Sequence, residues 1–318
     1  MNLQHNPKAA NSPAADTPSA RHARESSSES AQNSARNSAR NSGLRTGQNL
    51  AMNDGEFARL TARVQALTGI VLPLHKRQLV ISRLRKRLRA LGLDGFGAYL
   101  TYLDSPAGED EAGEMINVIT TNVTSFFREG HHFADLARIL APGPAKPGLA
   151  RRRRIWSAAC STGEEPYSIA ITVLQAGIAA PGADLRILAT DLDTAALARA
   201  RAATYPAERT DACPPECRRG YFEILSDGQV RISSRARGLV TFNQLNLHEP
   251  WPVKGPFDAI FCRNVLIYFN AEAKQAIVRR FIDVLRPGGT LYLGHSESML
   301  GNHPQLVNQG RTIFRKSA

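Results

Sequence analysis

The chain of 318 residues has no apolar run long enough to cross a bilayer; the most apolar stretch, Ile169 to Ala180, is short and is interrupted by Gln175. No spanning helix is expected, and the chain reads as a soluble, cytoplasmic protein. Cysteine is scarce, at four residues. Cys213-Pro-Pro-Glu-Cys217 has the wrong spacing for a zinc knuckle, with no second Cys/His pair nearby to complete four ligands. Reduced thiols are therefore expected rather than a disulfide scaffold. The pair His131-His132 reads as part of a helix start, and no metal is expected.

Other absences mark out regions. Residues 1–50 contain no aromatic side chain but hold 9 Ser, 7 Asn and 9 Ala. Such a segment buries too little apolar surface to offset its ordering entropy, so a disordered low-complexity tail is expected. Asp16, Glu25 and Glu29 within it argue against an organelle transit peptide. The stretch His75 to Leu93 contains no acid; Lys76, Arg77, Arg83, Arg85, Lys86, Arg87 and Arg89 all precede Asp94. The net charge of +12 adds to this basic character. Charge alone leaves nucleic acid, lipid headgroups and acidic proteins all open as partners.

The chain does contain two periodic regions. Residues 51–125 show helical spacing, with Phe57, Leu60, Val64 and Leu67 on one face and Ile81, Leu84, Leu88 and Leu91 on the next. An all-α domain is expected there, with a basic helix over 75–93. A Pro/Gly-rich linker is placed within 126–150. From 151 to 318 apolar strands alternate with helices, which implies a mostly parallel sheet. Ile155–Cys160, Leu185–Thr190, Val240–Leu245, Phe257–Cys262 and Thr290–Leu293 read as strands.

Ligands of such sheets bind at the carboxyl ends of the strands. Here the first turn is Ser161-Thr-Gly163-Glu-Glu165-Pro166, not G-x-G-x-x-G. Two acids stand where a dinucleotide site cradles a pyrophosphate, so a cationic ligand without phosphate suits it, with Glu165 as partner. Asp191, at the end of the second strand, is placed to accept ribose hydroxyls. Its alternative is an N-cap of the next helix, a role Asp193 could also fill.

Five motifs occur in order: the basic helix, T-N-V-T-S-F-F-R-E at Thr121 to Glu129, S-T-G-E-E-P-Y-S at Ser161 to Ser168, G-P-F-D-A-I-F-C-R-N-V-L-I-Y-F at Gly255 to Phe269, and G-H-S-E at Gly294 to Glu297. Over residues 54–316 the chain resembles the chemotaxis-receptor glutamate methyltransferases (CheR). The resemblance implies a class I S-adenosylmethionine-dependent methyltransferase (Rossmann-like) α/β domain with a small inserted β-subdomain at about 221–242, preceded by the all-α domain. It implies S-adenosyl-L-methionine as cofactor, S-adenosyl-L-homocysteine as product and protein-glutamate O-methyltransferase activity. By the same resemblance Asn122, Thr124, Arg128, Glu165, Asp191, Asn246, Leu247, Arg263 and Asn264 line the cofactor site, and Arg128 and Tyr268 lie nearest the transferred methyl.

The implied substrate is the cytoplasmic helical bundle of a receptor, whose acidic methylation helices would dock on Lys76 to Arg89. The protein itself would not be membrane-embedded, although membrane receptors could recruit it. A glutamate carboxylate is already ionised at neutral pH and needs no strong base. Phe126, Phe127, Val265 and Ile267 are expected to supply a dry wall for its attack. Many relatives use a longer loop in the β-subdomain to hold a receptor C-terminal pentapeptide. The short turn Ser226-Asp-Gly-Gln229 implies that this chain works without it. A nucleic-acid methyltransferase is the competing reading, but base amino-methylation calls for Asn/Asp-Pro-Pro-aromatic after the fourth strand, where this chain has Arg263-Asn264-Val265. No nucleic-acid partner is therefore expected.

Overall fold

The computed structural model describes residues 51–141, 152–180, 182–297 and 303–317. The expected tail, most of the Pro/Gly-rich segment and residues 298–302 lie outside the described residues. Chain after Leu50 forms one compact unit.

The unit begins with four helices: α1 (Asp54–Thr68), α2 (Arg77–Leu91), α3 (Phe96–Leu103) and α4 (Glu109–Ile119). Asn53 and Glu56 start α1 by a reciprocal cap, each side chain accepting the other's backbone N–H at 2.8 Å. Gly69 ends it at φ +73. A Cβ at Gly69 would lie 2.7 Å from the His248 ring, so the glycine also permits close approach to the α/β half. In α2, Val80, Ile81, Leu84 and Leu88 are buried, as its apolar stripe requires.

The next helix, α5 (His131–Leu140), begins at the expected helix start and corrects the linker expected around it. Residues 126–141 are not a linker: Phe133, Leu136 and Leu140, spaced by three and four, bury into the α/β core. Then follow β1 (Arg153–Ala158), α6 (Glu164–Gln175), β2 (Leu185–Asp191), α7 (Thr194–Ala202), β3 (Thr204–Pro206), α8 (Pro215–Tyr221), β4 (Phe222–Ile224), β5 (Gln229–Ile232), α9 (Ser234–Arg237), β6 (Val240–Gln244), β7 (Phe257–Cys262), α10 (Ala271–Val284), β8 (Leu285–Leu293), β9 (Leu306–Asn308) and β10 (Ile313–Lys316).

The main sheet has the order β6-β2-β1-β7-β8-β10-β9. β6, β2, β1, β7 and β8 pair in parallel, while β10 runs antiparallel to both its neighbours. Its central strands are buried on both faces, and successive residues divide between two cores. Ile155 and Phe261 join α5 and α6, whereas Trp156 and Ile260 join α10. The strand order reverses beside β1, which puts the ligand crevice over the carboxyl ends of β1, β2 and β7.

The inserted subdomain is the three-stranded sheet β3-β5-β4. It differs from the expected 221–242 at both ends. A two-stranded hairpin is marginal alone, and β3 completes the sheet from Thr204. Val240 to Gln244 instead pair with β2 at the edge of the main sheet. The turn Ser226–Gln229 does join β4 to β5, with Asp227 and Gly228 both at positive φ as a two-residue hairpin favours.

Candidate active site

One cavity lies over the crevice, and it brings together all ten residues singled out as cofactor or methyl-transfer groups, from Asn122 to Tyr268. The sheet builds its floor. β1 ends into a sharp turn with Ala159 and Ser161 at positive φ, which turns the Ser161 N–H toward Asp191. Asp191 accepts that N–H at 2.7 Å through Oδ2 and the N–H of Asp193 at 2.9 Å through Oδ1. Burial raises its pKa to about 6, with these N–H groups opposing.

Asp193 caps α7 by accepting from Ala196 N at 2.8 Å, so the cap belongs to it and not to Asp191. Its second oxygen accepts from Thr120 Oγ1 at 2.7 Å and Asn122 Nδ2 at 2.6 Å. The Asn122 side-chain oxygen, Oδ1, in turn accepts from Ser161 Oγ at 2.9 Å. Asn122 is thus a tie between loops as well as a cavity wall.

Glu165 accepts from Ser157 Oγ at 2.7 Å and from Arg263 Nη1 at 3.1 Å. Burial raises its pKa, and Arg263 is the largest influence holding it down. Arg263 also donates to the Arg128 carbonyl, lies 3.4 Å from Glu129 and packs over the Phe133 ring. Arg128 donates to Val123 O at 3.0 Å, and the Thr124 carbonyl accepts from Arg209 at 3.1 Å. The Asn246 side chain is occupied by Leu67 O, Glu249 and the N–H of His248, which is the turn-capping use of an asparagine. Leu247 is buried, and Arg280 holds its carbonyl at 2.6 Å. Cys160 also lines the cavity and Cys262 lies in the core beside it; burial raises both pKa values, so they are thiols rather than nucleophilic thiolates.

The expected dry wall is mostly elsewhere. Phe126 is fully buried between Tyr205 and Phe222, Phe127 packs on Phe133, and Ile267 is exposed; of the four only Val265 lines the cavity. The two phenylalanines anchor the Thr120–Arg128 loop instead. The apolar wall comes from Ile70, Leu72, Leu79, Val80 and Leu245. Four of these belong to the all-α half, which sequence reasoning did not bring to the site. The only signal was the apolar triplet Ile70-Val71-Leu72 between two helices. Ile70 bridges to Phe269, and Val71 N donates to Tyr268 O at 2.8 Å.

The basic helix is also resolved residue by residue. Lys76 lies in the cavity with Nζ 4.7 Å from the centre of the Tyr268 ring. Arg77 pairs with Asp54, Arg83 donates to the carbonyls of Ile119 and Thr120, and Arg87 makes a two-point contact with buried Glu111. These cations find partners on other elements, which the lack of partners within the helix concealed. Arg85 is half-buried; Lys86 and Arg89 are exposed.

Glu129, His131 and His132 bring ligand-type atoms within 4.8 Å of one another. Arg263 already stands beside Glu129, and burial lowers the pKa of His132 to about 4, so a neutral His132 lies beside an ion pair.

Two family models match the chain: the CheR methyltransferase all-alpha domain over residues 55–120 and the CheR methyltransferase SAM binding domain over 122–313. The chain belongs to the CheR family. It is 43% identical over 278 residues to the chemotaxis protein methyltransferase of Salmonella typhimurium, covering 85% of this chain and 93% of that one. The Escherichia coli protein of that name is 42% identical over the same shares. Chemotaxis protein methyltransferase 2 of Pseudomonas aeruginosa is 42% identical over 265 residues, covering 81% of this chain and 92% of that one.

This CheR protein therefore has a class I methyltransferase domain behind an all-α domain and uses S-adenosylmethionine. The donor set fits that cofactor. Acids replace a phosphate cradle, Asp191 faces the cavity at a strand end, and apolar side chains offer a wall for an aromatic base. Among the described residues no helix is long and apolar enough to cross a membrane.

Proposed function

We propose that this CheR protein esterifies glutamate side chains on the cytoplasmic helical bundle of chemotaxis receptors, giving glutamate 5-O-methyl ester and S-adenosylhomocysteine. One observation carries the reading. The only carboxylates among the cavity's lining residues, Glu165 and Asp191, are buried in bonds to the fold, and no histidine lines the cavity. A site without a base suits a nucleophile that arrives ionised. The cofactor supplies a methyl group on a sulfonium, and its reaction with a carboxylate neutralises both charges. Asp191 holds ribose hydroxyls, and Glu165 with Asn122 and Thr124 flanks the cationic end.

Arg128 orients a carboxylate and Tyr268 donates a neutral hydrogen bond, while Val265 and the all-α wall exclude water. Tight binding of the incoming glutamate by Arg128 would favour the charged ground state over the transition state, so its part is orientation. Exposed Lys86 and Arg89 offer attraction for acidic helices, and exposed apolar Leu79 and Val123 stand at the cavity. Action without a receptor C-terminal pentapeptide rests on the two-residue turn between β4 and β5. Saturable binding of such a peptide in a titration would overturn that part.

The decisive experiment is transfer of labelled methyl to receptor cytoplasmic domains, followed by alkali. Ester methyl groups are released by base. Label that survives alkali would rule out esterification.

A further inference from the structure

Glu297 follows the end of β8, with only 2% of its surface exposed. Its carboxylate accepts four backbone N–H groups: Gly294 at 2.6 Å and Asn264 at 2.9 Å on one oxygen, Val265 at 3.0 Å and Leu266 at 2.7 Å on the other. Three of these donors are consecutive residues of the loop after β7. No regular ladder pairs them, so this one side chain satisfies donors that would otherwise be stranded in the loop.

The fit is tight. Asn264 sits at φ +59, a conformation unusual for a residue with a side chain. A Cβ at Gly294 would lie 2.6 Å from Asn264 Nδ2, 2.7 Å from Asn264 N and 2.8 Å from Glu297 Oε2. Glycine is the residue that lets the two loops close on the carboxylate. The loop so held continues through Leu266 into Tyr268, and Asn264, Val265 and Tyr268 all face the cavity while Glu297 does not.

We propose that Glu297 is a positioning residue for methyl transfer: by gathering the N–H groups of Asn264, Val265 and Leu266 it sets the loop that aims Tyr268 at the acceptor. The proposal rests on the reading of Tyr268 as the group nearest the transferred methyl. Its action is through the loop, so it should govern turnover more than cofactor affinity.

A double-mutant cycle on the full chain tests this, using a receptor cytoplasmic domain that the unsubstituted protein methylates. Glu297→Gln turns an NH2 group toward backbone donors. It should lower kcat about ten- to a hundredfold, as expected for small misplacement of reacting groups. Affinity for S-adenosylhomocysteine, read by calorimetry, should fall by a smaller factor than kcat, since the loop also carries Asn264. Tyr268→Phe should lower kcat too, and adding Glu297→Gln to it should lower kcat little further.

Full additivity, or a loss that falls equally on S-adenosylhomocysteine affinity, would overturn positioning and leave Glu297 a scaffold residue. Wild-type turnover in Tyr268→Phe would instead remove the Tyr268 reading. In that event a kcat loss in Glu297→Gln alone supports positioning through Asn264 and Val265, and its absence overturns it. Should Glu297→Gln fail to fold, Glu297→Asp keeps the charge with a shorter reach. A folded Glu297→Asp variant with unchanged kcat overturns the proposal.

Discussion

The two halves of the molecule use charge in opposite ways. In the all-α half, long cationic side chains reach outward from α2 and fasten neighbouring elements: Arg77 to Asp54, Arg83 to the carbonyls that end α4, Arg87 to Glu111. In the α/β half, buried carboxylates stay near their own strands and gather donors around the cavity. Asp191 draws in the turn after β1, Asp193 the exit from α4, and Glu165 the guanidinium of Arg263. The first arrangement keeps its cations partly in water, even where the partner, Glu111, is buried, so water replaces part of what a lost partner gave. The second removes charge from water, so each carboxylate depends on the donors it has gathered.

That contrast can be broken most sharply at Arg263. Arg263→Met would leave Glu165 and Glu129 without their buried cation, and chemical denaturation should show a loss of about 3–5 kcal/mol. A loss near zero would erase the distinction between the halves. Arg87→Ala is the counterpart in the all-α half. Glu111 keeps the Tyr99 hydroxyl at 2.8 Å, so the expected loss is smaller, about 1–3 kcal/mol.

Asp191 sharpens the comparison by pH. Its pKa near 6 means that it is ionised above that value and protonated below it. Ribose hydroxyls donate to the ionised form, so S-adenosylhomocysteine affinity should be full above pH 6 and fall below it, by about tenfold per unit at the limit. Calorimetry across pH 5 to 8 checks this, and Asp191→Asn should flatten the profile. The smallest effect belongs to the exposed cations. Lys86→Glu with Arg89→Glu should raise the receptor KM several-fold at low salt, with the difference shrinking as salt rises, and leave stability within about 0.5 kcal/mol. Unchanged KM would remove these two residues from docking.

The alternation of buried strands and helices was legible because β1, β2 and β7 are short apolar runs bounded by turns. Glu165, Asp191 and Arg263 could be placed at one crevice because they follow the ends of those runs, whereas Asn122, Thr124, Arg128, Asn246 and Leu247 were expected there only from the family resemblance. α5 was read only at its start, His131-His132, although Phe133, Leu136 and Leu140 carry helical spacing, since the Pro/Gly-rich stretch after Leu140 drew the segment into a linker. Phe126 and Phe127 illustrate a different limit. An aromatic pair signals burial, but Phe127 and Glu129 adopt positive φ, and the resulting bend sends the rings to the core instead of the cavity. Likewise the partners of Arg83 and Arg87 are 24 to 38 residues away along the chain, beyond any pattern within the helix.

The strand-like contact between Ile70–Val71 and Tyr268–Phe269 bears on how this family can be recombined. The border between the matched all-α and SAM-binding regions, near residue 121, is not a clean place to exchange halves between relatives. A hybrid joined there would inherit residues 70–76 from one parent and 264–269 from the other, with Lys76 meeting a Tyr268 it did not evolve beside. Hybrids that move both short segments together should retain turnover, whereas those that split them should fold and yet transfer methyl groups poorly.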